Sequence, residues 1–148
     1  MVGGRQLSDN SDLSDDIGFS LRLAYAAVMQ RFAEALRPFD LRPMLYAAMV
    51  IIEANPGRKQ YEVGEALGVA TSNLGVLMST LAKRGLVRRD RVPGDIRSYS
   101  LTLTAAGAAL LLQAKAAQAE AVADINRAIG DRRELFISAL ADLANLNL

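Results

Sequence analysis

The chain has no cysteine and no histidine. Without cysteine there is no disulfide, no thiol redox sensing and no nucleophilic thiolate. Without histidine the usual general base is missing, and the two absences together remove the usual zinc ligands. No cofactor or metal is therefore expected. The opening MVGGRQLSDNSDLSDD lacks the apolar core of a signal peptide. No uninterrupted apolar run approaches the roughly 18 residues of a membrane helix. A cytoplasmic protein that makes no use of a membrane is the expectation. Neither a Walker string nor GxGxxG is present, so a phosphate-cradling nucleotide site is not expected. Nor is an enzyme, because no carboxylate pair is clearly held in a cleft. Charge of one sign is also lacking: 17 basic residues face 16 acidic ones, a net of +1, and the total points to no partner.

What is present is alanine, which swells the hydrophobic content to 51%. Alanine favours helices because it loses no side-chain entropy on folding. A length of 148 residues suits a single domain with a real core. The charge is unevenly spread. From Lys83 to Arg97 there are six basic residues (Lys83, Arg84, Arg88, Arg89, Arg91, Arg97) and two acidic ones (Asp90, Asp95), a net of +4. The other 11 basic and 14 acidic residues leave the rest at −3. A positive segment on a slightly acidic molecule is a feature that needs a reason.

Residues 1–12 are polar and glycine-containing and read as a flexible lead-in. A first helix is expected from Ser14, as a cap, to about Arg37, with Ile17, Leu21, Ala24, Val28, Phe32 and Leu36 at helical spacing. A second runs from Arg42 to Ala54, with Pro43 tolerated in its first turn, until NPG breaks it. Short helices over 60–67 and 71–84, ended by Gly68 and Gly85, form a helix-turn-helix pattern. Two strands follow, 86–92 and 97–103, joined by a turn at Pro93-Gly94-Asp95-Ile96. Tyr99, Leu101 and Leu103 fall on one face of the second strand. Thr104 caps an alanine-rich helix to about Ile129, and a last helix carries Leu135, Phe136, Ala139, Leu140 and Leu143.

The fold class is thus mainly α with a small β-hairpin wing (α+β), a winged helix-turn-helix over about 42–104. The helices over 14–38 and 105–148 exceed what that unit needs for its core. A second copy of the chain is the economical cover for their apolar stripes.

The strings LRPMLYAAMVIIEANPG, VGEALGVATSNLGVLMSTLAKRGLVRR and GDIRSYSLTLTAAG carry this order. In this order and spacing they resemble the multiple-antibiotic-resistance regulator (MarR) family of bacterial transcription factors, from about Ile17 to the C-terminus. The most specific part is KRGLV, then Asp95, Arg97 and Ser98, then LTLTAAG. The resemblance implies a homodimer with interlocked terminal helices, one recognition helix and one wing per subunit, and double-stranded DNA as partner. It implies a repressor released from a pseudo-palindromic operator by a small effector.

On the recognition helix, Leu74, Leu77, Met78 and Leu81 share the face to be buried. Thr71, Ser72, Asn73, Val76, Ser79 and Lys83 are then the candidate DNA contacts. Asn73 suits an adenine edge and Val76 a thymine methyl. No arginine lies between Thr71 and Ala82, where the family often has one, so guanine readout here is weak. On the wing, Arg97 suits the narrow minor groove of A·T tracts. Arg88, Arg89, Arg91 and Ser98 are further candidates; Arg89 and Arg91 share a face that Arg88 opposes. Asp95 orients the wing arginine or a neighbouring one by the family pattern, and is equally a common turn former.

Ile17, Leu21, Phe136, Leu140 and Leu143 are dimer-interface candidates, with intrachain core as the competing reading. For the effector, Phe19, Arg22, Tyr25, Met44, Tyr46 and Met49 are candidates to line a cleft suited to an anionic aromatic compound. Ordinary core or surface residues would look the same. The alternative function is a winged-helix module that binds protein and makes no specific DNA contact.

Overall fold

A computed structural model of the chain describes residue 13 and residues 15–146. The expected flexible lead-in over 1–12 and the expected cap Ser14 lie outside the described residues. The first helix, α1 (Ile17–Leu36), is capped instead by Asp16, whose carboxylate accepts from the Phe19 amide at 2.6 Å. The negative charge also suits the positive end of the helix. A single 3-10 turn at Arg37–Phe39 leads to α2 (Pro43–Ala54), where the ring of Pro43 presets the first helical φ.

Next come β1 (Arg58–Lys59), α3 (Gln60–Leu67) and α4 (Thr71–Lys83). Gly68 takes a left-handed φ of 65°, which turns the chain from α3 into α4. The wing is β2 (Val87–Val92) and β3 (Asp95–Leu103), and the long α5 (Ala105–Ile129) and α6 (Arg133–Ala144) complete the chain.

The sheet differs from the expected hairpin. It has three antiparallel strands in the order β1-β3-β2, with Arg58 opposite Leu101 and Lys59 opposite Ser100. The turn at the wing tip is also tighter than expected. Only Pro93 and Gly94 lie between the strands, since Val92 already pairs with Asp95. The next pair is Arg91 with Tyr99, so Ile96, Arg97 and Ser98 have no opposite number and bulge out of β3.

The core sits in the winged unit. Met49 and Ile52 of α2, Val63 of α3, Leu74, Met78 and Leu81 of α4, and Leu101 of β3 are all buried, with Leu36 and Leu111 closing it from α1 and α5. The junction of wing and α5 is tight. Thr104 caps α5 by accepting from the Gly107 amide at 3.0 Å and donates to the Gly85 carbonyl at 2.6 Å. A Cβ on Gly107 would lie 2.0 Å from the Leu86 carbonyl oxygen, so no other residue fits there without moving backbone. No residue of α6, by contrast, is buried. No described helix is long and apolar enough to cross a membrane.

Candidate nucleic-acid interface and neighbouring clefts

α4 presents two unlike faces. Leu74, Met78 and Leu81 are buried and Leu77 is half-buried. Thr71, Ser72, Asn73 and Lys83 are exposed, Ser79 is partly covered, and Val76 is 68% exposed. Ala70 at the N-cap has no side chain to satisfy the first amides of the helix, so that positive end stays open beside Ser72 and Asn73. Thr71 lies against the wing: it shares a small cavity of about 110 Å³ with Arg97, Ser98 and Tyr99. The start of the helix and the wing bulge are therefore neighbours.

The bulge is held from both sides. The Asp95 carboxylate accepts from the Arg97 amide at 3.2 Å and the Ser98 hydroxyl at 2.5 Å. These bonds, the Ser98 one foremost, keep its carboxyl below the usual aspartate range. Lys59 lies 3.7 Å away and ties the wing to β1 and the start of α3. The Arg91 guanidinium donates to the Ile96 carbonyl. Asp95 thus holds the backbone of Arg97 in position and pairs with Lys59; among the described residues its bonds reach the Arg97 amide and not a guanidinium.

The basic segment divides into held and free charges. Arg84 donates to the carbonyls of Asp40 and Phe39 at 2.5 and 2.9 Å, joining α4 to the turn before α2. Arg88 pairs with Asp90 at 2.7 Å. The guanidiniums of Arg89 and Arg91 lie 4.4 and 5.0 Å from the ring centroid of Tyr99, and Arg89 Nε is buried. Such stacking ties the two arginines to the ring. Arg89, a candidate DNA contact, is thus engaged with Tyr99, as is Arg91 on the same face. Among the described residues Lys83 and Arg97 enter no ion pair, and Ile96, next to Arg97, is 77% exposed.

The five interface candidates come together. Ile17 and Leu21 of α1 and Phe136, Leu140 and Leu143 of α6 line one groove of about 290 Å³. Ile17 remains 71% exposed and Phe136 41%, so α1 and α6 of one chain leave much of this apolar surface uncovered.

The effector candidates separate. Tyr25, Met44 and Tyr46 line a cleft of about 870 Å³ between α1, α2 and α5. Phe19 and Arg22 do not reach it; they stack on each other at 5.3 Å, further towards the start of α1. Met49 is a correction: it is fully buried in the core, on the side of α2 that carries Leu45 and Ile52. The cleft instead takes Met29, Phe32 and Ala33 from α1, Arg42 and Ala47 around α2, and Gln118 and Val122 from α5. Gln118 had a readable signal: it follows Leu111 and Ala114 on the buried stripe of α5. Burial raises the Tyr46 phenol above its ordinary value. Around the cleft Arg31 of α1 bonds Asp124 of α5, and Lys115 of α5 bonds Glu53 of α2. Asp124 is held below the usual carboxylate range, chiefly by the Arg31 bond. These pairs are partly exposed and add little stability, but they set how the helices meet.

Among known proteins, the transcriptional regulator HosA of Escherichia coli O111:H- is 31% identical over 112 residues, spanning 72% of this chain and 79% of HosA. The transcriptional repressor CouR bound to a 23-mer DNA duplex superposes with a TM-score of 0.88 at 33% identity, covering 95% of this chain and all of that one. CouR bound to p-coumaroyl-CoA gives 0.87 at 30% identity, again over 95% and 100%. No family model matches the chain. A helix-turn-helix with a clamped basic wing, set between terminal helices and shared at this level of identity with such regulators, places the chain in the MarR family of winged-helix transcriptional regulators.

Proposed function

We propose that the protein is a homodimeric, sequence-specific DNA-binding repressor, released from its operator by a small effector. It works in the cytoplasm and catalyses no reaction. The observation that carries this reading is the pairing of an exposed polar face on α4 with an unpaired Arg97 on a wing whose bulge is fixed in advance. CouR, of the same architecture, is bound to duplex DNA in one structure and to p-coumaroyl-CoA in another, which supports both halves.

In this reading Asn73, Ser72 and Val76 meet base edges in the major groove, with Thr71, Ser79, Lys83 and Ser98 at the backbone. Arg97 enters the adjacent minor groove, where the negative potential of narrow A·T tracts draws a guanidinium. Arg88 and Arg91 sit at the flank of the wing, near phosphates but partly neutralised by Asp90 and by packing on Tyr99. With no arginine on α4, groove shape carries more of the specificity than guanine contacts do. Successive major grooves lie roughly 34 Å apart, so two recognition helices are needed. The groove of Ile17, Leu21, Phe136, Leu140 and Leu143 supplies the dimer contact.

The cleft of Tyr25, Met44 and Tyr46 is the effector site. It touches the terminal helices α1 and α5 and the winged unit through α2. An occupant that prefers one setting of these parts shifts the dimer away from the DNA-competent spacing by its differential affinity alone. A gel shift with the duplex upstream of the protein's own gene tests the reading. Binding in the nanomolar range that weakens steeply with salt is expected. No shift at low salt sinks it.

A further inference from the structure

One residue of α4 weakens its helix and meets no need within the chain. Gly75 stands inside α4, where glycine costs helix stability relative to alanine because it loses more backbone freedom on folding. It has no positive φ that would call for glycine, and a Cβ built on it meets nothing within 4 Å. Gly64 of α3 is the contrast: its Cβ would lie 2.7 Å from the Leu74 side chain, so the packing of α3 on α4 explains that glycine. Beside Gly75 stands Val76, 68% exposed. Valine is a middling helix former, and its branched side chain keeps mainly to one rotamer on a helix. Ser72, Gly75, Val76, Ser79 and Lys83 share one face of α4 by helical spacing. That face carries no charge before Lys83. At its other end Thr71 adjoins Arg97 of the wing, so cations without an ion pair among the described residues flank an uncharged middle.

Resting on the reading of α4 as the recognition helix, we propose that Gly75 and Val76 make it a close-approach reader of thymine. The missing Cβ at Gly75 lets the backbone of α4 settle against the base edges of the major groove. At that depth the methyls of Val76 pack on the C5-methyl of a thymine, the apolar group that the major groove presents. Such a contact has neither charge nor hydrogen bond, so it acts only at van der Waals distance and depends on the space the glycine leaves. The stiff valine loses little rotamer freedom in making it. Asn73 precedes Val76 by three residues, about 4.5 Å along the helix axis, against roughly 3.4 Å between base pairs. Asn73 on an adenine and Val76 on a thymine therefore address neighbouring A·T pairs. The centre of each operator half-site is then a pair of adjacent A·T base pairs read by shape and methyl contact. Gly75 is kept against the stability of α4 because recognition needs the room.

The test compares two versions of the duplex upstream of the protein's own gene, one with thymine and one with deoxyuridine in its place. Deoxyuridine pairs with adenine in the same way and lacks only the C5-methyl, so the phosphates and the minor-groove edges near Arg97 are the same in both. Binding of each is measured for the wild type, Val76→Ser, Gly75→Ala and Arg97→Ala, with melting temperatures of the free proteins. One buried methyl is worth about fourfold in affinity, so with two half-sites the wild type should prefer the thymine duplex by about fifteenfold. Val76→Ser should bind the two duplexes nearly alike. Gly75→Ala should melt a few degrees higher than the wild type yet bind the thymine duplex about tenfold more weakly, because the added methyl holds the helix off the bases. Arg97→Ala should weaken both duplexes by the same factor and keep the thymine preference. Equal binding of both duplexes by the wild type overturns the proposal. So does a preference that survives Val76→Ser, or a Gly75→Ala protein that melts lower or binds as tightly as the wild type. Any of these results with a wild type that binds duplex overturns the proposal alone; a wild type that binds neither duplex at low salt overturns the regulatory reading beneath it.

Discussion

The winged unit and the terminal helices are made from the same apolar residues, yet the winged unit hides most of its own while α6 and the start of α1 leave theirs exposed. Ile52, Val63, Leu74, Met78, Leu81 and Leu101 are all within 1% of complete burial. On α6, Leu135 is 74% exposed and Ile137 51%, and at the start of α1 Ile17 is 71% exposed. Both regions show helical periodicity in sequence. The difference teaches that periodicity reports a face to be buried and is silent on what buries it. The winged unit closes around one core, with Leu36 of α1 and Leu111 of α5 completing it. The terminal helices carry an apolar groove whose cover, in our reading, is a second copy.

The strongest way to break this comparison is to cut into the closed core. Ile52→Ala should cost about 2–5 kcal/mol in a urea melt, because the cavity is walled by rigid elements. Leu135→Ala, on the open side of α6, should cost less than about 0.5 kcal/mol, as surface substitutions usually do. Equal effects would mean that the two regions do not differ as described.

The dimer contact comes next. Phe136→Asp with Leu140→Asp should give a monomer at micromolar concentration in sedimentation, with helical circular dichroism retained, since two carboxylates in an apolar contact are strongly unfavourable. A double variant that stays dimeric would move the interface elsewhere.

A smaller effect is expected at the wing. Arg97→Ala should weaken duplex binding about tenfold and reduce the slope of log K against log salt by about 1, the signature of one lost phosphate-region charge. Arg89→Ala should leave that slope unchanged, because its guanidinium is spent on Tyr99.

The smallest effect is in pH. The Asp95 carboxyl is held below 3.8 by bonds that its charged form accepts. A lowered folded value means that this contribution is present above the ordinary value and is lost as pH falls through the lowered one. The Arg97 and Ser98 amide resonances should therefore stay constant down to about pH 4 and move together only below it. A transition near neutrality would contradict the Asp95 clamp.

Much of this architecture can be read in the sequence, because it is written in local patterns. Gly68 and Gly85 end the short helices, the Tyr99, Leu101, Leu103 alternation marks a strand, and KRGLV through LTLTAAG orders the wing. What escapes is non-local or too short to carry a period. The strand β1 has two residues and exists only because Leu101 and Ser100 offer it an edge. The bulge at Ile96–Ser98 depends on a register set by both strands. Arg84 reads as part of a basic surface, but its partners lie 44 and 45 residues away. Met49 was within reach, since Leu45, Met49 and Ile52 form one helical stripe that points to the core. Gln118, polar on an otherwise alanine and leucine stripe, marks a position that neither burial nor exposure explains by itself.

The central claim is that two chains together hold one duplex through α4 and the wing. Sedimentation of the protein with a labelled duplex from upstream of its gene, across a salt series, reads stoichiometry and charge release at once. The account predicts two chains per duplex and a steeply negative salt slope that falls with Arg97→Ala. A single chain per duplex, or no complex even in dilute buffer, would contradict it.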